Sequence, residues 1–520
     1  MSRFVRTSKY RHVFGQQAKK EHNIENVKVT NSAWDTNLIS ASGQYLSVNW
    51  NASGGGAFAI LPLPSPFHGI NSFPHKLPDQ LPLARSHSAP VLDTDWSPHN
   101  DSIVASGGED GKAMIWKVEA SWFDGWGADG WIPQDFDPVL RIDASPRKIG
   151  QVLFHPTASQ VLATASGEHT VKLWDLAAPE DPRVVLSGHG DTIQSLTFNP
   201  TGTLLATTCR DRKLRIFDPR TGGQPVRVGD GHSGVKGSRL VWMGEYDRFA
   251  TTGFSKMSDR QVGIWDSGSL ESLKMVPIDQ SAGVLMPFWS DNNILFLAGK
   301  GDGNIRYYEY DEGDNLFVLA EYKSSDPQRG VCFLPRRALN VSECEIARAY
   351  KLHSSTVEPI AFIVPRKADN FQADIFPPAT SLEPSLSAAE FFNGKLAPVN
   401  LVNLGDGSTT SGTKPSPAPA PVQASSPVMS RAPTSTAAAP APTPVQVPVQ
   451  PSPPSAVPPS ATASPLTNAH DEVSSALKDE NARLTSELRD AREKIRILEL
   501  QVESLRANAR KAAQALQMDI

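Results

Sequence analysis

Residues 93–117, DTDWSPHNDSIVASGGEDGKAMIWK, set a rhythm that the chain then repeats. An apolar run alternates with polar positions, and a turn carrying Pro or Gly breaks it. A strand of small residues follows, and an acidic turn leads into a last strand that ends on an aromatic. The segments QVLFHPTASQVLATASGEHTVKLWD (151–175) and SLTFNPTGTLLATTCRDRKLRIFD (195–218) restate the pattern, as do 248–266 and 294–310. Short apolar runs bounded by turn residues predict antiparallel strands rather than helices.

The closing aromatics Trp116, Trp174, Phe217, Trp265 and Tyr308 stand 58, 43, 48 and 43 residues apart. The long first interval reflects an insertion from Ala120 to Pro138. A period near 43 with an Ile/Leu-x-Trp-Asp ending is the signature of WD repeats, each building one blade of a β-propeller. Five repeats are expected, at about 87–118, 147–176, 187–218, 232–266 and 278–310. Residues 38–63 before them, and 330–337 and 359–367 after them, supply strands for two more. The expectation is an all-β, seven-bladed propeller over 1–369. KYRHVFG (9–15) is expected to pair with the last blade and remove its open edge. Gly54-Gly55-Gly56 reads as a tight turn, because no Lys-Ser/Thr follows and no helix begins there.

His87, Ser106 and Asp110 resemble a catalytic triad on paper. With Trp116 they occupy the positions of a buried structural tetrad, and the recurrence of His189, Thr207 and Asp211 in a later repeat supports that role. No metal cluster, nucleophile motif or phosphate loop stands out, so neither an enzyme nor a cofactor is expected. Residues 370–404 carry Phe371, Ile375, Phe376, Phe391, Phe392 and Leu396, and read as an extension packed on the propeller. Residues 405–468 hold 16 Pro and three charges, and read as a disordered linker. Residues 471–518 hold heptad phase, with Leu484, Leu498 and Leu505 at d and Asn481, Leu488, Ile495 and Val502 at a, which predicts a C-terminal α-helical coiled coil.

Net charge is −5, which argues against general nucleic-acid affinity. Three Cys without CxxC spacing imply no disulfide framework. No 18-residue apolar run is present, so no membrane span is expected. Charge is uneven, however. Residues 1–30 carry seven Lys/Arg (Arg3, Arg6, Lys9, Arg11, Lys19, Lys20, Lys28) against Glu21 and Glu25. A mitochondrial presequence is also Arg-rich and acid-poor, but Tyr10 to Phe14 is a β-prone string without a helical stripe.

The strings SKYRHVFG, ASGGGAF, VLDTDWSPHN, TTGFSKMSDRQ, GKGDGNIRYYE, PQRGVCFLPRR, CEIARAYKLH, EPIAFIVPRK and FQADIF resemble the coronins, over about residues 2–402. The resemblance is to the short, single-propeller members. It implies a non-enzymatic protein of the cytoplasm and cortical actin cytoskeleton. Such a protein binds actin filaments through a basic surface, self-associates through its coiled coil, and acts with the actin-related-protein branching complex and cofilin. The family position for filament binding falls on Lys28, where animal members typically carry Arg; Arg6, Lys9, Arg11, Lys19 and Lys20 are supporting candidates. Lys9 and Arg11 could equally be outward residues of the closing strand. In the coil, Lys494-Ile495-x-x-Leu498-Glu499 resembles the trimer motif with Lys for Arg, whereas Ile495, Val502, Leu498 and Leu505 suit two strands; a trimer is expected over a dimer. Other readings are a propeller adaptor for partners such as vesicle-trafficking proteins, and RNA binding through the basic N-terminus.

Overall fold

The alternation in 91–117 becomes three strands, Val91–Trp96, Ile103–Gly108 and Ala113–Lys117, which pair antiparallel with Thr94 opposite Ser106 and Ser106 opposite Met114. A fourth strand, Leu140–Ile142, pairs outside them after the aromatic insertion. Middle strands are covered on both faces by neighbouring blades. Their small residues, such as Val104, Ala105 and Ser106, are fully buried and let the sheets pack closely.

A computed structural model describes residues 6–33, 36–63, 75–126, 130–367 and 370–411. The expected linker from 412 onward and the expected coiled coil, including Leu484, Leu488, Lys494, Ile495, Leu498, Glu499, Val502 and Leu505, lie outside the described residues. Among the described residues seven sheets of the propeller type follow one another along the chain, the first six built in sequence order from the innermost to the outermost strand. Blade 1 spans Ile39–His87, and blade 7 is built from Gln328–Phe333, Glu345–His353 and Thr356–Ile363. The outermost strand of blade 7 comes from the N-terminus, Phe14–Gln17, with Phe14 opposite Ile363 and Gln17 opposite Ile360. Ile24–Glu25 pairs with the same edge.

That closure is the one expected of the N-terminus, but the strand begins later than expected. Only Phe14 and Gly15 of KYRHVFG belong to the strand, and Lys9 and Arg11 precede it in a turn. The competing interaction is tertiary. Tyr10 and Val13 are buried, and the Tyr10 hydroxyl accepts a 2.9 Å hydrogen bond from Asn292 Nδ2. They anchor the approach to the strand rather than alternating along it. The glycine triplet does form a turn, between Tyr45–Trp50 and Gly56–Pro62. Gly54 and Gly55 take positive φ, and a Cβ on Gly56 would stand 1.9 Å from the Ala89 carbonyl oxygen. Backbone approach, not ligand binding, accounts for the triplet.

Antiparallel connection in strict order gives the ring two chemically distinct ends. One carries the turns between first and second strands; the other carries the turns between second and third strands and the links between blades. The segment 370–411 packs on the first end. Leu386 bonds backbone-to-backbone with Thr157 and Ser159, and Asn292 Nδ2 donates to the Ile375 carbonyl. Arg336 donates to the carbonyls of Pro377 and Pro378. Ile375, Phe376 and Phe391 are buried there. A helix, Ala388–Phe392, starts at a capping box formed by Ser387 and Glu390, which satisfies its first donors. The extension reaches beyond the expected boundary at Leu404. Thr409–Ser411 pairs with Asn400–Val402 across a turn containing Asp406 and Gly407, the latter at φ 72°. The polar composition of 405–411 conceals a hairpin whose turn residues are of the usual kind.

Candidate functional site

The triad-like residues lie at the junction of blades 1 and 2. His87 ends the outermost strand of blade 1, while Ser106, Asp110 and Trp116 belong to blade 2. Asp110 accepts from His87 Nδ1 at 3.0 Å, which leaves Nε2 to accept from Ser106 Oγ at 2.8 Å. Ser106 in turn accepts from Trp116 Nε1 at 2.9 Å. Burial works against the Asp110 carboxylate, but its bonds to His87 and to the amides of Lys112 and Ser88 prevail and lower its pKa. Every polar atom of this relay is occupied by another of its members or by the backbone. It has nothing left to offer a substrate and serves to lock two blades together.

The later copy departs from expectation. His189 Nε2 bonds Thr207 Oγ1 at 3.0 Å, but Nδ1 meets the His169 carbonyl instead of Asp211. Arg215 occupies both oxygens of Asp211, and Phe217 has no N–H to extend the chain. Sequence reasoning missed three further locks. His232 bonds Thr251 at 2.8 Å, and Thr251 accepts from Trp265 at 2.6 Å. Arg260, fully buried, grips Asp279 with two 2.6 Å bonds and Asp302 at 2.7 Å. Burial opposes its charge, but the two carboxylates outweigh it and raise its pKa. Between blades 6 and 7, Tyr322 donates to Glu358 at 3.0 Å beside the fully buried Lys351. The His232 lock carries a Gly-His pair like Gly188-His189 and the same 19-residue His-to-hydroxyl spacing as His87 and Ser106, and could have been found; the other two have no local signature.

The six basic candidates separate. Lys9 lies beside the extension, Nζ donating to the Asp374 carbonyl at 3.1 Å, and Arg11 is exposed in the turn before the closing strand. Arg6 pairs with Glu309 and lies 4.2 Å over the Phe317 ring, at the outer edge of blade 6. Lys19 and Lys20 are exposed at the rim of blade 7, where the chain passes to the uncovered end. Lys28 lies on that end, in the crossing from blade 7 to blade 1. Val27 N bonds Ser355 O, and Asn51 N bonds Lys28 O. Lys28 is exposed, with Nζ on the Asp79 carbonyl at 3.0 Å. The structure therefore brings Lys19, Lys20 and Lys28 together by face, and leaves Arg6, Lys9 and Arg11 apart from them.

The innermost strands enclose a central cavity of about 420 Å³ lined by Asp93, Asp95, Gln151 and Arg239. Burial pushes both carboxyls up to about 7, and each accepts a backbone N–H of blade 3, from Val152 and Phe154. Among the described residues there is no His/Cys/Asp/Glu group able to hold a metal. No helix among them is long and apolar enough to cross a membrane.

Seven blades of antiparallel strands among the described residues, two junctions of which are locked by His–Ser/Thr–Trp relays, define a WD-repeat β-propeller. Family models agree: "WD domain, G-beta repeat" matches residues 80–117 and 180–218, and "Type of WD40 repeat" matches 357–399. A model described as "Domain of unknown function (DUF1899)" matches 3–67. The coronin-like protein crn1 of Schizosaccharomyces pombe is 50% identical over 79% of this chain and 66% of its own length. The coronin-like protein of Saccharomyces cerevisiae is 46% identical, over 79% and 62%. Coronin-A of Dictyostelium discoideum is 43% identical, over 78% of this chain and 87% of its own. The WD40 domain of Toxoplasma gondii coronin superposes with a TM-score of 0.67 at 28% identity, covering 75% of this chain and 97% of that domain. The chain belongs to the coronin family. Its propeller is a scaffold rather than an enzyme. The matched region spans just under two thirds of the two yeast relatives.

Proposed function

We propose that this protein binds the sides of actin filaments through the uncovered end of its propeller and works in the cytoplasmic, cortical actin cytoskeleton. One observation carries the reading: the extension occupies one end of the ring, while exposed Lys19, Lys20 and Lys28 stand at or beside the other. Actin filaments are acidic, so a complementary basic surface steers encounter and fixes orientation. Lys28 is the central contact, with Lys19 and Lys20 in support. Arg6 is committed to Glu309, Lys9 to the extension, and Arg11 stands in the turn before the closing strand.

Self-association through residues 471–518 as a trimer would link several such faces and hold two filaments together. The branching complex and cofilin are further partners on this reading. The test is co-sedimentation with filamentous actin across a salt series. Wild type should pellet at low salt and release as salt rises. Lys28→Glu should bind roughly tenfold more weakly while melting like wild type. A Lys28→Glu protein that pellets like wild type removes Lys28 from the interface.

A further inference from the structure

The uncovered end carries a second feature, far along the chain from Lys28. The link from blade 4 to blade 5 contains Val235 and Lys236, and the second turn of blade 5 contains Lys256 and Met257. Val235 is 79% and Met257 84% exposed. The two loops are fastened to each other. Gly234 N bonds the Phe254 carbonyl at 2.8 Å, and Lys236 Nζ lies 4.8 Å over the Phe254 ring. A Cβ on Gly234 would come within 2.7 Å of the Phe254 Cβ and carbonyl oxygen, so only glycine lets the loops sit this close. Two apolar side chains are thus held out to water on a stiff mount, flanked by two lysines.

Cations outnumber carboxylates on the surrounding surface, where Glu168 and Asp230 are also exposed, Asp230 paired with Lys213. Arg147, Lys148, Arg210 and Arg212 are exposed on the same end of blades 3 and 4. Lys148, Arg210 and Val235 also line a cavity of about 360 Å³ whose other wall includes Ser32, Ala33 and Thr36, a few residues beyond Lys28. The Lys28 crossing and the Val235 loop therefore border one rim. Isolated exposed apolar residues are ordinary; a rigid pair ringed by cations, on the end the extension leaves free, is built for an acidic protein surface with a shallow apolar recess.

We infer that Val235 and Met257, framed by Lys236 and Lys256, form a second, apolar contact with the filament, opposite Lys28 across the mouth of the ring. This rests on the filament-binding reading above. Two separated contacts would fix the propeller's rotation on the filament, which a single charged contact leaves free.

The experiment compares wild type with the double variant Val235→Ser/Met257→Ser, in the full chain, by actin co-sedimentation from low to moderate salt. Both positions are exposed, so the melting temperature should hold. We expect about tenfold weaker binding, the effect of losing roughly one buried apolar side chain. The salt dependence should match wild type, because no charge is removed. Equal pelleting of variant and wild type would overturn this inference and leave the filament reading intact. Failure of wild type itself to pellet at low salt would overturn both. A parallel arm uses vesicles of phosphatidylcholine with phosphatidylserine. If the double variant loses vesicle binding while pelleting normally with actin, the pair contacts membrane instead, and the inference is wrong.

Discussion

The two ends of the ring start from similar material, since each blade gives turns to both, but they are put to opposite use. At the covered end, turns such as Thr157–Ser159 lend their backbone groups to residues 385 and 386, and apolar side chains from the extension close over them. At the uncovered end, blades are joined by buried polar locks, and Val235 and Met257 stay in water. The contrast teaches that a propeller can hide its locks inside the junctions and keep an entire face for a partner, provided a tail occupies the other. Apolar burial stabilises the first end; polar relays and exposed charge characterise the second.

The strongest way to break the contrast is to strip the covered end. Phe391 is 2% exposed and its ring lies 4.2 Å from that of His155. Phe391→Ala should cost about 3–5 kcal/mol of stability, from lost burial and the cavity left behind. Thermal or urea unfolding would measure it. Filament binding per folded molecule should not change, because the lesion is at the other end. An unchanged melting temperature would mean that the extension contributes nothing by docking there.

Acid tests both ends at once. Burial pushes His155 down to about 3 at the covered end, and His189 and His232 down to about 4 in the uncovered end's locks. A histidine that is neutral when folded and has a pKa near 6.5 when unfolded binds more protons in the unfolded chain between those values. The contribution of each histidine is therefore full above about pH 6.5 and falls as pH drops toward 4, by on the order of 3 kcal/mol for each group, while Asp93 and Asp95, raised by burial, act in the opposite sense. His232→Asn should flatten the curve over that window relative to wild type. If its slope between pH 6.5 and 4.5 matches wild type, His232 is not held neutral.

How much of this was legible beforehand depends on how local each signal is. The blade rhythm and the His87–Ser106–Asp110–Trp116 relay lie within 30 residues, and each carries its own punctuation. The Arg260 lock joins Asp279 to Asp302, and the closing edge joins residue 14 to residue 363; partners so distant leave no periodic trace. Gly407 and Asp406 signalled a hairpin, but the serines and threonines around them matched the linker that follows. The least legible feature was the division by face. In sequence, seven basic residues stand in one 30-residue stretch; in the fold, four residues of strand from Phe14 to Gln17 carry the chain from one end of the ring toward the other.

That division gives the finest test. Lys9→Glu/Arg11→Glu and Lys19→Glu/Lys20→Glu make the same charge change, less than a dozen residues apart. A model in which the N-terminus acts as a loose basic arm predicts equal losses, since screened attraction depends mainly on net charge at this range. The folded arrangement predicts unequal ones. Reversal at Lys19 and Lys20, exposed at the rim leading to the uncovered end, should weaken co-sedimentation with actin about three- to tenfold and reduce its salt dependence. Reversal at Lys9, which bonds the Asp374 carbonyl of the extension, and Arg11, in the turn before the closing strand, should change it less than about twofold, as expected for charges outside the contact. Equal effects would show that the strand between the pairs does not separate their roles, and the filament-facing surface would have to include the outer wall of blade 7.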